Sequence, residues 1–240
     1  MENTLLAYLN KRVSKPNHVP RIHKPAGPVI TISREVGCSG LELAFALMNR
    51  LNVSASLGRW KVLSKEIFQE SARELNLDPE RVAKIYKQVD RYTFDEILNA
   101  FNERRFKSEK KIKNTVIEVI RSFSEEGFCI IVGRASNVIA ADIRNSLHIR
   151  LVAPMEFRIN SIMHKNRLNR EDAIQFINTV EKERYAYRQA ARENKPVENE
   201  IFDLTFDRAK FSAEEIVDLI MLAIEIKGIL QEYKKIIDYF

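Results

Sequence analysis

Apolar and polar residues along this chain change from a short-run pattern to a helical one and back several times. Val29, Ile30, Thr31 and Ile32 form a β-branched run that closes at Ser33, as a strand buried on both faces requires. The spacing Leu41, Ala44, Phe45, Met48, Leu51 then predicts a helix with one apolar face. A brief strand at 60-WKVL-63 precedes a long helical stretch read as 65–75, 80–89, 94–106 and 109–126, with Asp78 and Pro79 opening the second of these. Next come an apolar run, 128-FCIIVG-133, a helical piece at 136–142 and a strand at 147–153. A helix from Pro154 to about Leu168 and a longer one over 170–194 follow. A last strand at 201–206 leads to Ser212, whose pairing with Glu215 predicts a capping box at the start of the final helix.

Strands that alternate with helices imply an α/β class with a parallel sheet of about five strands. The segment 14–28 holds four prolines and a glycine, so a helix over 3–12 cannot run through it, and residues 1–27 read as a leader and linker. Residues 28–240 then form one α/β domain with a helical insert at 64–127 and a further helical region at about 155–195.

Composition narrows the picture only a little. A hydrophobic share of 45% suffices for a packed core, and Cys38 and Cys129 match no metal-ligand spacing. No apolar run approaches the roughly 20 residues of a membrane span, and the N-terminus lacks a secretory opening, so the expected setting is cytoplasmic, away from membranes. Net charge is +6, from 39 Lys plus Arg against 33 Asp plus Glu, which suits phosphate-bearing ligands or nucleic acid. The stretch 103–114 packs six basic residues but has Phe106 as its single aromatic, so it gives no series for base stacking and reads as a solvated helix junction. The four histidines have no paired spacing, and His148, within a strand, reads as structural. Trp60 and Tyr92 are candidate borders of a ligand pocket, with core packing the stronger reading for Trp60.

The candidate chemistry begins at Gly37-Cys38-Ser39-Gly40, between the first strand and first helix. A strand, a glycine turn and a helix N-terminus in that order can hold an anion on backbone N–H groups. The strict motif G-x-x-x-x-G-K-[ST] fails here: its lysine position is Gly40 and its hydroxyl position Leu41. What remains is a nest with N–H donors at Cys38 and Ser39, Gly37 and Gly40 allowing close approach, and Arg34 as the nearest cation in sequence. Arg134 directly follows the 128–133 run, and Arg184, Arg188 and Arg192 recur every four residues on one helical face.

Taken in order, ISREVGCSGLELA, IIVGRASNVI, HIRLVAPMEFRINSI, EKERYAYR and FDLTFDRAKFSAEEIVDLI resemble the cytidylate kinase-like family over about residues 28–225. The resemblance implies a P-loop-type three-layer α/β/α fold with a helical acceptor and lid insert. It also implies ATP and magnesium, with a nucleoside triphosphate and a nucleoside monophosphate as ligands. It casts Gly37, Cys38, Ser39 and Gly40 as the donor loop and Arg134 as the clamp on the acceptor phosphate. Arg184 and Arg188 become lid residues over the transferring group, with Arg158 and Arg167 as further candidates; no metal ligand is assigned. Glu181-x-x-Arg184 stands where the family lid has Asp-x-x-Arg. The chain departs from the family at Leu41, where many members place an arginine, and at Ala135, where cytidylate kinases proper have an acid that reads the base. Two functions stay open: a nucleoside monophosphate kinase, with a pyrimidine acceptor to try first, and a nucleotide sensor of the same fold without turnover. A nucleic-acid-associated role rests on charge alone.

Overall fold

The computed structural model describes residues 26–53, 58–64, 109–191 and 202–231. The expected helices at 3–12, 65–75, 80–89 and 94–106, together with Tyr92 and Arg192, lie outside the described residues. Five strands form one parallel sheet in the order β2-β3-β1-β4-β5: β1 Val29–Arg34, β2 Lys61–Leu63, β3 Cys129–Val132, β4 Ser146–Val152 and β5 Leu204–Asp207. The helices are α1 Gly40–Val53, α2 Glu109–Glu126, α3 Ser136–Ile139, α4 Met155–Asn166, α5 Arg170–Ala191 and α6 Ala213–Ile226. The expected α/β class with a five-stranded parallel sheet is the one observed.

Alternation along β1 sorts the core into layers. Ile30 and Ile32 face the side covered by α1 and α6, where they join Leu43, Leu47, Ile216 and Ile220. Val29 faces the opposite side with Ile131, Val116, Val119 and Ile120 of β3 and α2. A third cluster, Val36, Ile159, Ile162, Ala173 and Ile177, joins α4 and α5 to the loop after β1. Sheet burial on both faces is the reason the strands read as continuous apolar runs.

Two sequence expectations are corrected. The buried face of α1 is Leu43, Ala44, Leu47 and Leu51, whereas Leu41 and Phe45 are 44% and 48% exposed. Both sets satisfy a helical repeat, and the phase is set by how the preceding loop meets the sheet rather than by the helix itself. The last strand runs Leu204–Asp207, with residue 201 outside the described residues: the His148 N–H of β4 goes to the Asp203 carboxylate at 2.7 Å rather than to a backbone carbonyl, although Asp203 N–H still donates to the His148 carbonyl at 2.8 Å.

Other expectations hold in detail. Ser212 Oγ accepts from Glu215 N–H at 3.2 Å and the Glu215 carboxylate accepts from Ser212 N–H at 2.8 Å, which completes the capping box of α6. His148 is buried and structural, with Thr31 Oγ1 at 2.8 Å from Nδ1 and Ser146 Oγ at 3.1 Å from Nε2. Trp60 is buried against the edge of Phe128, ring centroids 5.7 Å apart, as a core residue. Cys38 and Cys129 are free and buried. Among the described residues no helix is long and apolar enough to cross a membrane.

Candidate functional site

The site grows from the point where β1 ends. Arg34 is the last residue of the strand, and the chain then turns through Glu35–Ser39 into α1. Gly37 has φ +95°, and a Cβ on it would stand 2.9 Å from both Cα and the carbonyl oxygen of Arg158. Only a glycine permits that approach, and it seats α4 directly on the loop. Ser161 Oγ fastens the contact by donating to the Gly37 carbonyl at 2.8 Å.

The loop's own N–H groups divide into two sets. Val36 N–H donates to Glu181 Oε1 at 2.6 Å, and Cys38 N–H turns back to the Glu35 carbonyl at 3.2 Å. Cys38 is therefore not the free donor that its position suggested. Ser39 and Gly40 N–H have no acceptor among the described residues, and the first helical bond is Leu43 N–H to the Ser39 carbonyl at 3.3 Å. Free N–H groups at a helix start carry partial positive charge aimed along the axis. The Cys38 thiol is pushed up to about 11, first by burial and then by Glu35, so it stays protonated at neutral pH.

Four arginines gather beside this loop. The Arg34 side chain passes Gly40, where an added Cβ would lie 3.2 Å from its Cγ and Cδ, and ends at Gly133, where one would lie 2.0 Å from Nη1. Gly133, Arg134 and Ala135 are three consecutive left-handed residues, with φ +78°, +60° and +52°. For Arg134 and Ala135 that conformation carries strain of the kind found at functional turns, and it brings Arg134 to Arg34. From α5, Arg184 Nη1 donates to the Arg34 carbonyl at 3.1 Å, with Arg188 one turn further on. Enclosure by protein and then the charges of Arg184, Arg134 and Arg188 drive the Arg34 pKa well below the usual guanidinium value, against Glu181, which raises it. Arg184 is lowered by burial foremost, with Glu181 opposing and Arg188 adding to the shift. An anion entering the set would attract each of these guanidinium groups and offset their mutual repulsion.

Acidic residues fix the frame around the arginines. Glu35 accepts from Ala153 N–H at 3.1 Å and stands 3.7 Å from Arg158 Nε. Glu181 accepts from Arg158 Nη1 at 3.1 Å as well as from the loop. Arg158 thus ties the loop, α4 and α5 together, whereas Arg167 is exposed at the C-cap of α4 in a left-handed conformation. The sequence reading put no weight on Glu35 and missed Lys165, whose Nζ donates to Ser39 Oγ at 2.6 Å. The available signal was the spacing 158, 161, 165, which places all three residues on one face of α4. Glu42, in the first turn of α1, is exposed, and among the described residues no group of three or more His, Cys, Asp or Glu is placed to hold a metal ion.

Residues 29–210 match the model of the cytidylate kinase-like family. Among solved structures, a protein from Eubacterium ventriosum ATCC 27560 is similar over 82% of this chain and 97% of its own, at 22% identity and a TM-score of 0.59. A shikimate kinase from Bacteroides thetaiotaomicron is similar over 82% of this chain and 98% of its own, at 10% identity and a TM-score of 0.47. A curated uronate isomerase from Corynebacterium glutamicum is 23% identical over 114 residues, which are 48% of this chain and 22% of the isomerase. The fold is P-loop kinase-like, with its loop after the central strand of a β2-β3-β1-β4-β5 sheet.

Proposed function

Since the chain belongs to the cytidylate kinase-like family, we propose that it is a nucleotide-binding phosphotransferase of the nucleoside monophosphate kinase type. It moves the terminal phosphoryl group of ATP to a nucleoside monophosphate, and a pyrimidine nucleotide is the first acceptor to test. The observation that supports this most is the gathering of Arg34, Arg134, Arg184 and Arg188 from three separate elements beside a loop with free amides.

Phosphoryl transfer asks little covalent chemistry of a protein; it asks for aligned oxygens and for compensation of charge spread over the transferring group. Ser39 and Gly40 amides hold donor phosphate at the start of α1. Arg134 clamps the acceptor phosphate with a planar pair of N–H donors. Arg184 and Arg188 cover the transferring group from α5, and Arg34, whose guanidinium ends at Gly133, adds charge on the acceptor side. Magnesium bound with ATP would supply charge neutralisation on the outer phosphates, with few ligands asked of the protein. Glu35 is engaged by Ala153 N–H and Arg158, so the exposed Glu42, in the first turn of α1, is the carboxylate beside the loop that would be offered to that ion.

A coupled assay with ATP, magnesium and a panel of nucleoside monophosphates tests the reading. Product with at least one acceptor, lost in Arg134→Ala, is expected. A flat trace with every acceptor, while ATP still protects the fold thermally, would mean a sensor; ligand at 100 times Kd stabilises by about 2.7 kcal/mol.

A further inference from the structure

A phosphate-binding loop of this kind ordinarily carries a lysine at its end, and this chain has Gly40 and then an exposed Leu41 there. We infer that Lys165, from the last turn of α4, supplies the missing cation of the donor loop. The inference rests on the kinase reading for the identity of the anion, and on the geometry for everything else.

Three contacts along one face of α4 lock it to the loop. Arg158 backbone fills the space that a side chain at Gly37 would take, Ser161 Oγ holds the Gly37 carbonyl, and Lys165 Nζ reaches Ser39 Oγ at 2.6 Å. Ser39 is the residue immediately before the free Gly40 amide, so the ammonium group stands next to the donors that remain available. The two cations on this face differ in how they are matched. Arg158 is balanced by Glu35 and Glu181. Lys165 has a neutral hydroxyl as its partner, and among the described residues no carboxylate pairs with it. An ammonium group has three donors, so the contact with Ser39 leaves two for phosphate oxygen.

Arg34 is the rival for this role, but its guanidinium is carried past Gly40 to Gly133, toward Arg134. It therefore serves the side of the site where the acceptor clamp lies. Lys165 approaches from the other element and meets the loop at Ser39. A cation delivered by α4 also makes donor binding depend on the seating of that helix, which a lysine within the loop would not.

The test is calorimetric titration of the full chain with ATP plus magnesium and, separately, with inorganic tripolyphosphate. Lys165→Met is expected to weaken both by ten-fold or more with an unchanged melting temperature, since the residue is exposed. Lys165→Arg should retain most of the affinity. Leu41→Lys placed in the Lys165→Met protein should restore much of it by returning a cation to the loop itself. Wild-type affinity in Lys165→Met overturns the inference, and so does a wild-type protein that binds neither probe. Transfer is read separately by the coupled assay, so binding that depends on Lys165 with no product would sink the kinase reading and leave the lysine in place.

Discussion

Replacing Gly37 with alanine examines how the loop and α4 are joined. Gly37 sits at φ +95°, and the new Cβ would stand 2.9 Å from the Cα and carbonyl oxygen of Arg158, both backbone atoms that cannot rotate aside. The backbone conformation alone costs an L-residue about 1–2 kcal/mol, and forcing extra volume into a packed contact costs about 1–3 kcal/mol. Together they predict a loss of about 3 kcal/mol, near the middle of the summed range, from a total stability of roughly 5–15 kcal/mol. For a chain of this size that corresponds to a melting temperature lower by about 6–12 °C. Gly40→Ala is the milder comparison: Gly40 is helical, and its added Cβ meets side-chain Cγ and Cδ of Arg34 at 3.2 Å, which need shift by only a few tenths of an ångström, rather than backbone. It should be close to neutral, because removing a helical glycine returns about 0.5–1 kcal/mol. Urea unfolding of both variants against wild type reads the difference, and ATP titration should show weaker binding in Gly37→Ala as α4 is pushed off the loop. If Gly37→Ala is as stable as Gly40→Ala, the close approach of α4 does not exist and the reasoning fails.

Three other predictions concern single side chains. Arg188→Ala should keep most ground-state affinity and lose about 100-fold in kcat, as expected for hydrogen bonds worth about 3 kcal/mol in the transition state alone; an unchanged kcat would remove Arg188 from the transferring group. Cys38 and Cys129, with thiols raised to about 11 and about 12, mainly by burial, should resist a disulfide reagent at pH 8 in the folded protein and react on unfolding, whereas rapid reaction of the native state would contradict their burial. Burial lowers the His148 pKa below 6.5, so between the folded value and 6.5 the unfolded chain binds a proton that the native state refuses. The stability held by neutral His148 is complete above pH 6.5 and falls as the pH drops through that window, by up to about 1.4 kcal/mol per unit; His148→Gln should flatten this part of the stability curve, and an unaltered slope would refute it.

The strands were legible because a parallel sheet buries both faces, which leaves runs such as Val29–Ile32 and Cys129–Val132 with few polar residues. Ser212 and Glu215 were legible because a capping box is local, three residues across. The phase of α1 was not, since Leu41 and Leu43 fit a helical stripe equally well and only the sheet decides between them. Arg134, Arg184 and Arg34 could be picked out singly, but their meeting depends on the left-handed turn at 133–135 and on α5 returning over the loop. The link from Lys165 to Ser39 spans 126 residues, and its one trace in the sequence, the 158, 161, 165 spacing, does not say what that helix face meets. Local signals fix elements; the site is made by the approach of α4 and α5, which the Gly37 contact permits.

The central claim is that the turn at Gly37–Gly40 is a cradle for phosphate, and Gly40→Asp tests it most directly. The substitution sets a carboxylate beside Arg34 and the Ser39 and Gly40 amides, at a helix start that tolerates an acidic residue. Titration calorimetry with ATP and magnesium should show binding by wild type and none by a Gly40→Asp protein whose circular dichroism and melting temperature are those of wild type. Undiminished affinity in that folded variant would show that the stretch is an ordinary strand-to-helix turn.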